Sequence, residues 1–283
     1  MPTRYLAAPI GVYDSGVGGL SVLRALQARL PEERFYYVAD SYHCPYGDRD
    51  AAEIQELALG VARHLSEAGC KLIVVACNTI SATALTVMRE SLQGLPIVGM
   101  VPAVKPAIET THTGVVGVLA TQATVRGALY LDVLRRFAQT TSVISQPCPG
   151  LVELIEAGKL DAPETEALLR RCVAPIIEAG ADVVVLGCSH YPFIRPLLER
   201  IVGRNVRIIE PSDAIALQTR RVLEREGLLT DAATAPGDTR FATSGPTQPF
   251  DESVFRLVGI WPGAEPLVWD HGRLGVPRTA TVL

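Results

Sequence analysis

The apolar positions of this chain alternate between short continuous runs and stripes at helical spacing. Ile10-Gly11-Val12-Tyr13 and Phe35-Tyr36-Tyr37-Val38-Ala39 are unbroken runs, as expected of strands covered on both faces. Between them, Leu20, Leu23, Leu26 and Leu30 recur on one helical face. Ile54, Leu57, Ala58, Val61 and Leu65 give a second helix its buried stripe. Further strands are expected in the runs that end at Cys77 and Cys188, and at 97–100, 115–120, 142–145, 206–209 and 240–243. The connecting helices are expected from near Ser81 to a left-handed cap at Gly94, after Thr124, over 151–156, over 212–226 with Ser212 or Asp213 as cap, and over 250–257. The proline-bounded stretch 101–113 reads as a connector. Strand and helix in alternation predict an α/β fold with parallel sheets.

One stretch returns in altered form. Asp50, Glu53, Gly69 and Cys77 recur as Asp161, Glu164, Gly180 and Cys188, at a constant offset of 111 residues. Asp50 and Asp161 are candidate N-caps, with Glu53 and Glu164 placed as in a capping box. Thr121 and Thr124 stand where Asp14 and Ser15 stand in the first half. Cys148-Pro149-Gly150 stands where Cys44-Pro45-Tyr46-Gly47 does. An ungapped repeat of this length predicts two related halves. The expected architecture is two pseudo-symmetric, open, flavodoxin-like α/β domains facing each other across a cleft. The first covers 1–99 and 210–260 and carries Cys77. The second covers 100–209 and carries Cys188. From 261 to 283, with Pro262, Pro266 and Pro277, an irregular tail is expected.

Composition narrows the function. Hydrophobic residues are 48% of 283, enough for real cores. The formal net charge is −4 and the 26 basic residues are scattered, which argues against nucleic acid as a ligand. The opening residues have no signal-peptide apolar core, and no apolar run is long enough to span a bilayer. A cytoplasmic protein with free thiols is therefore expected. Cys70 and Cys172 read as small apolar residues, and Cys44 is given no role. The glycines of Asp14-Ser15-Gly16-Val17-Gly18-Gly19 do not have dinucleotide-binding spacing. Lys71, Lys105 and Lys159 lack the phosphate-cradling context that a pyridoxal enzyme needs.

Two thiols at equivalent strand ends suit proton transfer on both faces of one carbon. A thiolate removes a proton from one side and a thiol supplies one from the other, so a stereocentre inverts. Thiols near pKa 8.5 can hold one of each form near neutrality. A helix N-terminus after each cysteine would assist the thiolate and bind a carboxylate. Asn78, Thr79, Ser189 and nearby amides are candidate donors. His190 is a candidate to keep Cys188 reactive, and Asp14 is its counterpart or an ammonium ligand.

The motifs Asp14-Ser15-Gly16-Val17-Gly18-Gly19-Leu20-Ser21, Pro45-Tyr46-Gly47, Ala76-Cys77-Asn78-Thr79, Cys148-Pro149-Gly150 and Gly187-Cys188-Ser189-His190-Tyr191-Pro192 together resemble those of the glutamate racemase family, in order over about residues 10–245. The resemblance implies interconversion of L- and D-glutamate for peptidoglycan synthesis, with no cofactor and no metal, in a homodimer. It implies Cys77 and Cys188 as acid/base residues, Cys77 acting on D-glutamate and Cys188 on L-glutamate. Asp14, Ser15, Tyr46, Gly47, Asn78, Thr79, Ser189 and His190 match substrate-contacting positions. Pro45, Thr121, Thr124 and Glu153 match positions lining or supporting the site. Ser189 departs from the family's usual threonine but keeps the hydroxyl. The rivals are an aspartate racemase of the same superfamily, a Cys188–His190 thiol hydrolase, and a two-lobed binding module. The hydrolase is weakened because side chains two residues apart rarely meet.

Overall fold

The structure is a computed structural model that describes residues 6–230 and 237–277. In the first half, β1 (Ile10–Asp14), β2 (Phe35–Ala39), β3 (Leu72–Val75) and β4 (Ile97–Gly99) alternate with α1 (Leu20–Arg29), α2 (Ala51–Glu67) and α3 (Asn78–Ser91). The second half carries α4 (Val104–Thr110), β5 (Val115–Ala120), α5 (Gln122–Arg126), α6 (Ala128–Phe137), β6 (Ser142–Pro147), α7 (Leu151–Glu156) and α8 (Pro163–Glu178). It continues through β7 (Val183–Gly187), a 3-10 turn (Tyr191–Ile194), α9 (Arg195–Val202) and β8 (Arg207–Ile209). Then come α10 (Ser212–Glu226), β9 (Thr239–Thr243), α11 (Thr247–Val258), β10 (Glu265–Pro266), β11 (Val268–Asp270) and β12 (Arg273–Gly275).

The first ten strands form two parallel sheets. The first has the order β10-β9-β2-β1-β3-β4 and the second β6-β5-β7-β8. The chain therefore does return to the first sheet after the second is complete. The strands read as apolar runs because both faces are covered. Val12, Tyr37 and Val74 pack with Leu23 and Leu26 of α1 and with Ile215 of α10 on one face. Tyr13, Val38 and Val75 pack with Ile54, Val61 and Leu65 of α2 on the other. Each such side chain, fully removed from water, contributes roughly 1.5–3 kcal/mol.

In both sheets the order reverses beside the first strand of the half, between β1 and β3 and between β5 and β7. Connections leave on opposite sides there, and a crevice opens at the carboxyl ends. The chain exits these four strands at Asp14, Cys77, Thr121 and Cys188, so topology alone gathers the candidate chemistry.

Several expectations are corrected. Asp50 caps α2, its side chain accepting from the Glu53 amide, but Asp161 does not cap α8. Pro163 opens that helix with its backbone angle preset and no N–H to satisfy, while Asp161 pairs with Arg200. Neither Ser212 nor Asp213 caps α10. The cap position is Pro211, and the Ser212 hydroxyl donates to Glu210. The connector 101–113 contains α4, whose Val104 and Ala107 are buried against the second sheet. The stretch from Trp261 is not irregular. Its β10 extends the first sheet, and β11 and β12 form an antiparallel hairpin. Trp269 anchors that hairpin by donating to Asp40 Oδ1 at 2.8 Å, an indole contact that backbone periodicity does not encode. Cys148 and Cys172 are not free. The start of α7 and the face of α8 bring their Cα atoms to 5.6 Å and the two form a disulfide.

Candidate active site

Asp14 ends β1 and is fully buried. Its Oδ1 accepts from the Gly16 amide at 2.8 Å and its Oδ2 from the Ser189 hydroxyl at 2.9 Å, which ties the two sheets together. Burial raises the Asp14 pKa, opposed by the nearby His190, the Gly16 amide and Ser189. The glycine turn that follows permits close approach. A Cβ at Gly18 would lie 2.4 Å from His190 Nδ1 and 2.5 Å from Ser189 Oγ, and one at Gly16 would lie 2.0 Å from Glu156 Oε1.

Cys77 is the N-cap of α3, with extended backbone angles, so that helix starts three residues before the expected position. Asn78 and Thr79 are consequently its first turn rather than a loop. The Cys77 thiol is 4% exposed and lies 3.9 Å from Ser15 Oγ. Its pKa is pushed up to about 12, mainly by burial and then by the charge of Asp14, against the Ile80 amide at the helix start. Asn78 is 1% exposed and both atoms of its side-chain amide lack a hydrogen-bond partner. An amide left so is costly unless a ligand completes it.

Cys188 follows β7 and is 5% exposed. The helix expected after it is only the 3-10 turn, so the helix-dipole argument holds for Cys77 alone. His190 lies in helical backbone conformation, which swings its ring back. Its Nδ1 is 3.8 Å from Cys188 Sγ, so side chains two apart do meet here, contrary to the objection raised against the hydrolase. On its other side, His190 Nε2 is 2.6 Å from Glu156 Oε1. Burial would lower the His190 pKa, but its contacts with Cys188, Cys44 and Glu156 outweigh this and hold it well above the ordinary value. Glu156 is shifted down, because His190 and the Val17 amide (2.9 Å) outweigh its burial. The two directions agree on an imidazolium–carboxylate pair.

Thr79, Thr121 and Thr124 bring their hydroxyls together, at 2.8 Å for Thr79–Thr121 and 2.9 Å for Thr121–Thr124, again across the halves. Gly47 lies beside them, its carbonyl accepting from Ala123 N at 2.9 Å. Pro45 follows a cis peptide bond. The Tyr46 hydroxyl is spent on Asp40 Oδ2 (2.5 Å) and Tyr13 (3.0 Å), which leaves the backbone beside it as the group available to a ligand. Glu153 is exposed on α7 and lines a narrow pocket with Pro45, Gly47 and Thr121. The carboxylate that reaches His190 is instead Glu156, one turn later. Sequence reasoning missed it, together with Asp40, which accepts from the Tyr46 hydroxyl. The only available signal for Glu156 was its position one helical turn beyond Glu153.

The chain as a whole is similar to known proteins. Residues 20–219 match the family model described as Asp/Glu/Hydantoin racemase. The chain is 47% identical over 251 residues to the glutamate racemase of Roseiflexus sp. (strain RS-1), covering 89% of this chain and 92% of that protein. Its fold is similar to the crystal structure of glutamate racemase isoform RacE1 from Bacillus anthracis, with a TM-score of 0.85, 30% identity, and 94% and 98% of the two chains covered. It is also similar to glutamate racemase from Francisella tularensis in complex with D-glutamate, with a TM-score of 0.82, 27% identity and the same coverage.

Proposed function

This chain belongs to the Asp/Glu/hydantoin racemase family, and from that premise we propose that it interconverts L- and D-glutamate by two-cysteine proton transfer, without a cofactor, supplying D-glutamate for peptidoglycan synthesis. The observation that carries the mechanism is the pair of buried thiols, Cys77 and Cys188, at equivalent strand ends of two sheets of the same topology.

In this mechanism the substrate α-carbon lies between the two sulfurs. The His190 imidazolium directs its Nδ1–H toward Cys188, the arrangement suited to a thiolate base. Cys188 takes the α-proton of L-glutamate, and the electron pair is left on carbon, delocalised into the carboxylate. Cys77, whose thiol is pushed up to about 12, holds a proton and delivers it to the opposite face. The product is D-glutamate, with Cys77 left as thiolate and Cys188 as thiol, ready for the reverse reaction. The carbanion is reached only if fixed donors meet the carboxylate. The unpartnered Asn78 amide, the Thr79–Thr121–Thr124 hydroxyls and the amides beginning α3 are those donors. Asp14, with Ser15 and Ser189 beside it, takes the ammonium group. Water is excluded because both thiols are nearly inaccessible, so substrate entry requires the halves to part.

The first lobe is taken as 1–99 with 210–260, to which β10 adds an edge strand, and the second as 100–209, acting as a homodimer in the cytoplasm. Among the described residues, no helix is long and apolar enough to cross a membrane. The test is a substrate panel with chelator present and no cofactor, following optical rotation of L-glutamate, D-glutamate and L-aspartate. Glutamate inversion is expected to be fastest. Faster inversion of aspartate would move the protein to the sister activity, and loss of activity only in Cys188 variants, not in Cys77→Ala, would favour the hydrolase chemistry.

A further inference from the structure

Three potential ligands converge beside Cys188, and proton transfer uses only two of them, His190 and its partner Glu156. The Cys44 Sγ lies 3.6 Å from Glu156 Oε1, and His190 Nε2 lies 2.6 Å from the same oxygen. One ligand atom from each of the three side chains falls within 4.8 Å of the others. The backbone of Gly16 closes the group from one side, since a Cβ there would sit 3.0 Å from Cys44 Sγ and 2.0 Å from Glu156 Oε1. His190 is fully enclosed, 2% exposed, while Cys44 and Glu156 are half-buried and open a path from solvent.

A thiolate, an imidazole nitrogen and a carboxylate oxygen form the donor set of a borderline-soft divalent ion. With metal–sulfur and metal–oxygen bonds of about 2.3 and 2.0 Å, a tetrahedral site places sulfur and oxygen roughly 3.5 Å apart. Cys44 and Glu156 already stand at 3.6 Å. The His190–Glu156 contact must widen by only about 0.7 Å to reach the corresponding nitrogen–oxygen edge. That adjustment is a small rotation of a half-buried carboxylate.

We propose that Cys44, Glu156 and His190 form a binding site for a thiophilic divalent cation of the zinc class, and that its occupation inhibits the enzyme. The ion replaces the proton on His190 Nε2 and the proton on the Cys44 thiol, and both protons pass to solvent. No electron is transferred. Glu156 turns from the Val17 amide to the ion. The bound ion takes His190 out of its pairing with Glu156 beside Cys188. It also joins the loop after β2, which belongs to the first sheet, to α7 and the β7 exit, which belong to the second. A cross-link of that kind opposes the parting of the halves that admits substrate. The inhibitory half of this proposal rests on the assignment of Cys188 and His190 given above, and the binding half does not.

The experiment titrates the reduced, full-length protein with Co2+ and then Zn2+ in the absence of substrate, and measures glutamate turnover in parallel. One Co2+ per chain is expected, with a near-ultraviolet thiolate-to-cobalt band that Zn2+ abolishes. The band is expected to vanish in Cys44→Ser and in Cys44→Ala. These variants are expected to keep metal-free turnover while losing inhibition by Zn2+ at least tenfold, and that retained turnover shows that they fold. A band that persists in both Cys44 variants, or no thiolate band in the wild type, overturns the site. A Cys44-dependent band with turnover unaffected by Zn2+ overturns the inhibition. A Cys44-dependent band in a protein that turns over no glutamate refutes the racemase reading and supports the metal site.

Discussion

Replacing Asn78 by leucine should make the substrate-free protein more stable while weakening its grip on glutamate. Asn78 is 1% exposed, and neither its Oδ1 nor its Nδ2 has a partner. Folding therefore strips water from an amide and returns nothing, at a cost of about 1–3 kcal/mol. Leucine has nearly the same shape and carries no such cost, so Asn78→Leu is expected to gain about 1–2 kcal/mol without glutamate. Saturating glutamate should erase or reverse that advantage. Wild type gains about 2.7 kcal/mol at a hundred times Kd. A hydrogen bond to the charged carboxylate is worth about 1.5–3 kcal/mol, so the variant should bind roughly 10- to 150-fold more weakly. The assay is urea denaturation with and without glutamate, combined with KM. A variant less stable than wild type without glutamate would refute the reasoning, because the amide would then have a partner in the free protein. So would an unchanged KM.

Gly18→Ala should leave the circular dichroism spectrum unchanged and lower kcat/KM at least tenfold, because a methyl group there lies 2.4 Å from His190 Nδ1 and displaces the ring from Cys188; overpacking of this kind costs about 1–3 kcal/mol. Trp269→Phe removes the 2.8 Å bond to Asp40 and should cost about 1 kcal/mol in urea, with faster proteolysis of the hairpin but KM within twofold. Asp182 accepts from the Thr111 hydroxyl, from the His112 amide and from the Thr113 hydroxyl and amide, and these bonds outweigh its desolvation and hold its pKa at about 2. A depressed carboxylate stabilises fully above its unfolded value near 3.8 and loses that effect as pH falls through about 2. Solvent screening at this half-buried surface site limits the effect to under about 1 kcal/mol. Asp182→Asn should therefore lower stability at pH 6 and lower it by less at pH 2, where the native carboxylate is about half protonated.

Much of the fold was legible because strand and helix leave different periods. Phe35–Ala39, Val115–Ala120, Leu151–Glu156 and Ser212–Glu226 lie where the apolar pattern puts them. The errors have physical sources. Asn78 and Thr79 are poor formers of a helix interior, so the pattern delayed α3 to Ser81, yet the first turn tolerates them because its amides lack intrahelical partners. Asp161 occupies the repeat position of a cap, and Pro163 takes over its purpose. The hairpin after Trp261 is held by the Trp269 indole bond, by burial of Leu267 and Leu274 in the core of the first sheet and by the Arg273–Glu67 pair, none of which periodicity encodes. The site divides in the same way. Cys77, Cys188, Asp14 and Thr121 are strand-end residues, so topology placed them. The Cys148–Cys172 disulfide and the contact of Cys44 and Glu156 with His190 are encounters between separate elements, and sequence distance carries no trace of them.

In the proposed mechanism two thiols act on opposite faces of one carbon. The direct measurement is racemisation of L-glutamate in D2O with chelator present, following optical rotation and α-proton loss together in wild type, Cys77→Ala and Cys188→Ala. Inversion with deuterium incorporated at the α-carbon is expected in the wild type, and no inversion in either variant. Inversion that survives the loss of either cysteine, or that proceeds without solvent deuterium entering, would contradict that mechanism.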